Sequence, residues 1–130
     1  MKLFESKMLI TGLLFVSTLA SGVWLSRTGK PYSSALFNLH KLIAVGAIVL
    51  TVITINNLRA GVEIRTMAVG AMIVAGLLFL FLIATGGMLS IGKPDLAAIL
   101  TVHRTIPLLA VFFAAAAIYL VATAKPLLDF

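Results

Sequence analysis

The chain has no cysteine, and it carries only ten basic and four acidic residues among 130. Without cysteine there is no disulfide, iron–sulfur cluster, thiolate metal site or covalent C-x-x-C-H haem attachment. Without charge there is little to keep the chain in water. Some 62% of its residues are hydrophobic and its mean hydropathy is +1.18. A soluble domain of this length could not hide that much apolar surface. Histidine is also scarce: His40 and His103 are the only two.

What is abundant is long apolar runs. Four are long enough to cross a hydrocarbon core, which takes about 20 helical residues. They lie at Met8–Ser26, Ser34–Leu58, Met67–Leu89 and Leu96–Ala124. The short connections make neighbouring helices antiparallel. The expected fold is therefore all-α, a single four-helix transmembrane bundle over residues 1–130 with both termini on one side. The lipid bilayer is its first partner. The net charge of +6 does not point to nucleic acid, because basic loops commonly set membrane orientation. Lys2, Lys7, Arg59, Arg65 and Lys125 fall on the side of the termini, and Arg27, Lys30 and Lys93 on the other. Five against three favours termini in the cytoplasm, and the balance becomes even if Lys41 and Arg104 count with the far side. The basic and apolar start of the chain is shaped like a signal peptide. Its counterpart in an internal repeat marks it instead as a membrane helix.

That repeat is the most specific feature. "GKPYSSALFNLHK" (29–41) aligns without a gap to "GKPDLAAILTVHR" (92–104), and "ASGVWLS" (20–26) aligns to "ATGGMLS" (84–90). The bundle is thus expected to be two helical hairpins in the same orientation, repeat 1 over 8–58 and repeat 2 over 67–124. Parallel repeats imply a pseudo-two-fold axis along the membrane normal. Pro31 and Pro94 are read as first-turn prolines. Nine residues on, at matched depth, come His40 and His103.

An ionisable residue within a membrane is a functional candidate by default. One lone histidine is as readily a satisfied polar side chain. Two, equivalent in a repeat, suit a single metal centre. A bare zinc or copper site needs three or four protein ligands, and no third is in reach. Glu5, Glu63 and Asp129 lie at the other end, and Asp95 is too shallow. Haem removes the difficulty, since the porphyrin supplies four nitrogens and two histidines complete the coordination. The expected metal ligands are His40 and His103, holding one haem b.

The residues expected to line that haem follow from position. Gly22 and Gly86 are equivalent and would let a flat macrocycle approach the backbone. Phe37, Ala44 and Pro107 lie on the histidine faces, where small residues continue as Ala47, Thr51 and Thr54 on one helix and Ala110, Ala114 and Ala117 on the other. Close helix packing explains such a stripe equally well. Lys41 and Arg104 follow the histidines and lean toward the nearby surface. There they would meet haem propionates, with Arg27, Lys30 and Lys93 in the same field, or else lipid phosphates. Pro107 frees the carbonyl of His103 and is expected to kink its helix.

"LHKLIAV" (39–45) followed by "NNLRA" (56–60) resembles the second-helix pattern of small prokaryotic membrane b-type cytochromes, in which a His-Lys pair opens a helix ending near an arginine, here Arg59. The resemblance implies a four-helix core in a prokaryotic inner membrane. It also implies haem b held by histidine pairs, with electrons exchanged with a quinone or a partner redox subunit. The chain departs from the usual two-haem pattern in having one histidine pair, and it carries no quinone-site signature. The alternative is a haem-free anchor subunit or small carrier whose histidines form a polar core.

Overall fold

A computed structural model of the chain describes residues 2–92 and 96–127. Four α-helices account for most of them: α1 (Lys2–Thr28), α2 (Ser34–Leu58), α3 (Thr66–Ser90) and α4 (Ala97–Ala122). All four are long and apolar enough to cross a membrane. Among the described residues there is no strand beyond one isolated bridge, between Val62 and Pro126. The all-α class expected from the hydropathy pattern is the class observed, with four helices whose length and apolarity suit a membrane span. The largest difference in bounds is at α1, which starts six residues before its apolar run. Lys2, Glu5 and Lys7 extend the helix without interrupting its hydrogen bonding, and hydropathy registers only the apolar part.

The chain divides into two compact units, Met1–Asn56 and Asn57–Phe130, and each holds one helical hairpin of the repeat. In the first unit, α1 and α2 run antiparallel: Ser21, near the end of α1, meets His40, near the start of α2, and Leu14 lies against Gly46. In the second, α3 and α4 pack on one another. Their outer ends are tied by the backbone, with Glu63 N–H donating to the Lys125 carbonyl and Leu127 N–H to the Gly61 carbonyl, both at 2.9 Å.

The glycines that open the duplicated stretch have a local reason to recur. Gly29 and Gly92 both have positive φ, +70° and +71°, just beyond the ends of α1 and α3. A left-handed residue there reverses the chain after a helix, and glycine adopts it without Cβ strain. The neighbouring proline needs correction. Pro31 is not in a first helical turn but three residues before α2, whose N-terminus is set by Ser33: the Ser33 carbonyl accepts from Phe37 N–H at 2.9 Å. Proline disfavours the α conformation at the residue before it, and Pro31 lies in the turn that precedes α2. Lys93, Pro94, Asp95 and Asp129, all used in the sequence argument, lie outside the described residues.

Which faces are inside is decided by size. The buried residues of α2 are Ala47, Thr51 and Thr54. Those of α4 are Ala110, Ala114, Ala117 and Val121, and α3 buries Ala68, Ala71, Ala75, Phe79 and Thr85. Bulky Leu42, Val52, Leu77, Leu80, Leu108 and Phe112 stay exposed. In water this would be inverted. In a bilayer the lipid solvates leucine as well as the protein does, and small residues allow close backbone approach. Hydroxyls along the helices bond their own backbone, as Thr11 does to the Lys7 carbonyl and Thr51 to the Ala47 carbonyl, each at 2.8 Å. Such bonds satisfy these hydroxyls, which hydrocarbon cannot solvate.

Candidate functional site

Each histidine sits six residues into its helix, His40 in α2 from Ser34 and His103 in α4 from Ala97. At 1.5 Å per residue that is about 9 Å along the axis. It is less than nine residues from the proline would give, because α2 opens three residues after Pro31. The matched depth of the two histidines within their own hairpins is kept.

The surroundings of the two rings are duplicates. In the first unit, His40 Nδ1 lies 2.9 Å from the hydroxyl of Ser21 on α1. In the second, His103 Nδ1 lies 2.7 Å from the hydroxyl of Thr85 on α3. Each hydroxyl also donates to its own helix: Ser21 to the Thr18 carbonyl at 3.0 Å, and Thr85 to the Phe81 carbonyl at 2.9 Å and the Leu82 carbonyl at 3.2 Å. Ser21 and Thr85 are both buried, while the imidazoles are half-buried.

Directly after each hydroxyl residue stands the glycine. A Cβ at Gly22 would come within 3.0 Å of His40 Cε1, and one at Gly86 within 3.2 Å of His103 Cε1. Both distances are tighter than nearly all real Cβ contacts, so either ring would have to give way. What each glycine admits in this structure is therefore the imidazole edge, laid against the backbone of the partner helix. One residue holds the ring by a nitrogen, and the next leaves the space for its carbon.

The other expected site residues divide into two groups. Lys41 and Phe37 come together, with Lys41 Nζ 4.6 Å from the centre of the Phe37 ring and Tyr32 packed on that ring at 6.1 Å. Lys41 thus leans one turn back toward the start of α2, the direction expected for a snorkelling cation. Arg104 is exposed, and so are Arg27 and Lys30. Ala44 and Pro107 are half-buried, each one turn beyond its histidine. Helix α4 runs through Pro107 as one element, without a break.

The small stripe beyond the histidines faces the protein interior in both hairpins, with one difference. Where α4 has Ala114 and Ala117, α2 has Thr51 and Thr54, and the Thr54 hydroxyl is buried with no hydrogen-bond partner among the described residues.

Ser21 and Thr85 are the site residues that sequence reasoning passes over. A signal for them exists: they occupy equivalent places in the aligned "ASGVWLS" and "ATGGMLS" stretches, both bear hydroxyls, and both directly precede the singled-out glycine. Among the described residues, no three His, Cys, Asp or Glu side chains converge as a metal site. The donor set is two imidazoles, each oriented through Nδ1 and seated on a glycine. Two imidazoles alone are too few protein ligands for a bare metal ion. No family model, curated protein or solved structure matches the chain.

Proposed function

We propose that the chain is a membrane b-type cytochrome in which His40 and His103 are the axial ligands of one haem b. The observation that carries this reading is the duplicated environment: the only two histidines of an integral membrane protein stand at equivalent repeat positions, each with Nδ1 on a hydroxyl and Cε1 on a glycine. Haem b, when bound, supplies a one-electron ferric–ferrous couple. The protein's part is to fix both imidazoles before binding, so that little ring freedom is lost on ligation, and to keep the surroundings apolar. With one histidine pair the chain holds at most one such haem. A single centre suits exchange of electrons with a membrane quinone or a partner redox subunit. The basic residues nearest the termini support a cytoplasmic side for both ends, within a prokaryotic inner membrane.

The second reading, a haem-free anchor subunit or small carrier, has one observation in its favour. Ser21 and Thr85 each satisfy an imidazole nitrogen without any cofactor, which is how a purely structural polar pair would look. The absorption spectrum of the protein purified from membranes separates the two. The haem reading expects a red protein whose dithionite-reduced form shows the sharp, split bands of low-spin haem b. A colourless protein with full helicity would overturn it.

Lys41 and Arg104 are the cations placed to offset propionate charge. Positive charge near the iron favours the reduced state, which carries one charge less. Neutralising either residue, as in K41Q or R104Q, is therefore expected to lower the reduction potential. The shift should be modest, because both side chains are exposed and solvent screens them. A redox titration at several pH values checks this and reveals any compensating proton uptake by the propionates. A potential unmoved at every pH would place both side chains among the lipid headgroups, with no influence on the haem.

A further inference from the structure

The geometry points to Ser21 and Thr85 as positioning residues that set the tautomer of the two histidines, holding the proton on Nδ1 and leaving Nε2 as the nitrogen that binds. The inference rests on the haem reading for what Nε2 binds, but not for the tautomer itself.

A serine or threonine hydroxyl has one proton and two lone pairs. In both hairpins the hydroxyl sits between a histidine Nδ1 and a backbone carbonyl of its own helix, at 2.9 and 3.0 Å for Ser21 and at 2.7 and 2.9 Å for Thr85. The carbonyl can only accept. Once the hydroxyl proton goes to it, the oxygen can only accept from the imidazole, so Nδ1 must carry hydrogen. The chain imidazole N–H to hydroxyl to carbonyl then runs in one direction, with every donor matched. In the opposite arrangement the hydroxyl would have to turn away from its carbonyl and give up that bond.

The consequence is chemical. A histidine that donates its Nδ1–H to a fixed acceptor has its ring orientation set, its Nε2 lone pair exposed for coordination and its basicity raised. Here the acceptor is supplied by the preceding helix of the same hairpin, and the next residue is the glycine against which the ring lies. Each hydroxyl–glycine pair is thus a two-residue seat for the imidazole returning on the following helix. The Thr85 seat is the tighter of the two, with a shorter contact to Nδ1 and a second carbonyl, that of Leu82, at 3.2 Å from its hydroxyl.

The test uses the full chain in lipid bilayers with ¹⁵N-labelled histidine, freed of haem for the tautomer measurement, together with S21A, T85V and the conservative exchanges S21T and T85S. Nuclear magnetic resonance reads which ring nitrogen bears hydrogen. The wild type is expected to show Nδ1–H at both histidines. S21A should release only His40 and T85V only His103, each into a mixture of tautomers, and S21T and T85S should restore the wild-type pattern. In the haem-loaded protein the loss of either hydroxyl should raise the reduction potential, because a less basic imidazole stabilises ferric iron less. Haem affinity should fall about tenfold or more, the scale on which second-shell partners act. An Nε2–H tautomer at either histidine of the wild type would overturn the assignment, as would S21A and T85V variants with unaltered tautomers and potential. The two readings fail separately: a colourless protein with Nδ1–H imidazoles removes the haem and leaves the seat, whereas a red protein indifferent to S21A and T85V removes the seat and leaves the haem.

Discussion

Replacing either His40 or His103 with alanine is expected to abolish stable low-spin haem binding while leaving the helices inserted. Each imidazole is one of only two in the chain, and among the described residues no cluster of other ligating side chains stands in reserve. A single remaining histidine provides one axial bond, which leaves iron high-spin and broadens the sharp reduced bands. The fold should tolerate the change. Both rings are only half-buried, and the hydroxyls they leave behind keep their bonds to the Thr18 and Phe81 carbonyls. The measurement is a reduced-minus-oxidised spectrum beside a circular dichroism spectrum of the same sample. Wild-type haem spectra in both single variants would show that the ligands are elsewhere.

The second large effect is expected at the glycines. Leucine at Gly22 or Gly86 should sharply lower haem occupancy without preventing insertion, since leucine is at home in a membrane helix. Even the first added carbon meets the imidazole, at 3.0 Å from His40 and 3.2 Å from His103. The ring cannot simply step aside, because the hydroxyl of the residue before the glycine holds its Nδ1. Overpacking of this kind costs typically about 1–3 kcal/mol. Here the strain falls on the ligand whose direction matters most. The Gly22 variant should suffer more than the Gly86 variant, following the shorter distance. Alanine at the same positions gives a graded version of the same test. Haem content per mole of protein checks both, and unchanged content in both leucine variants would return these glycines to ordinary helix packing.

Much of the outcome was legible before any fold was known. Hydropathy marks four spans because a membrane helix must be apolar over its whole length. The repeat pairs His40 with His103 and Gly22 with Gly86 because the two hairpins share one local design. The turn glycines Gly29 and Gly92 recur because the chain must reverse there through positive φ. These are properties of local backbone geometry and of solvent, and a one-dimensional pattern records them.

What only the tertiary structure decided is which side chains face one another across each hairpin. The helices are apolar on every side, so no polar face points outward to tell an interior face from a lipid-facing one. Lipid solvates leucine as well as a protein interior does. Helix α1 offers Ser17, Thr18, Ser21 and Ser26 as hydroxyls that could meet an imidazole, and the pattern does not choose among them. The choice falls on Ser21 because α1 and α2 pack at a register that brings Gly22 against the ring, and close approach is possible only at the glycine. The same register brings Thr85 to His103. The true start of α2, three residues after Pro31, is likewise a property of the folded turn: proline restrains the residue before it, and Ser33 supplies the first carbonyl of the helix.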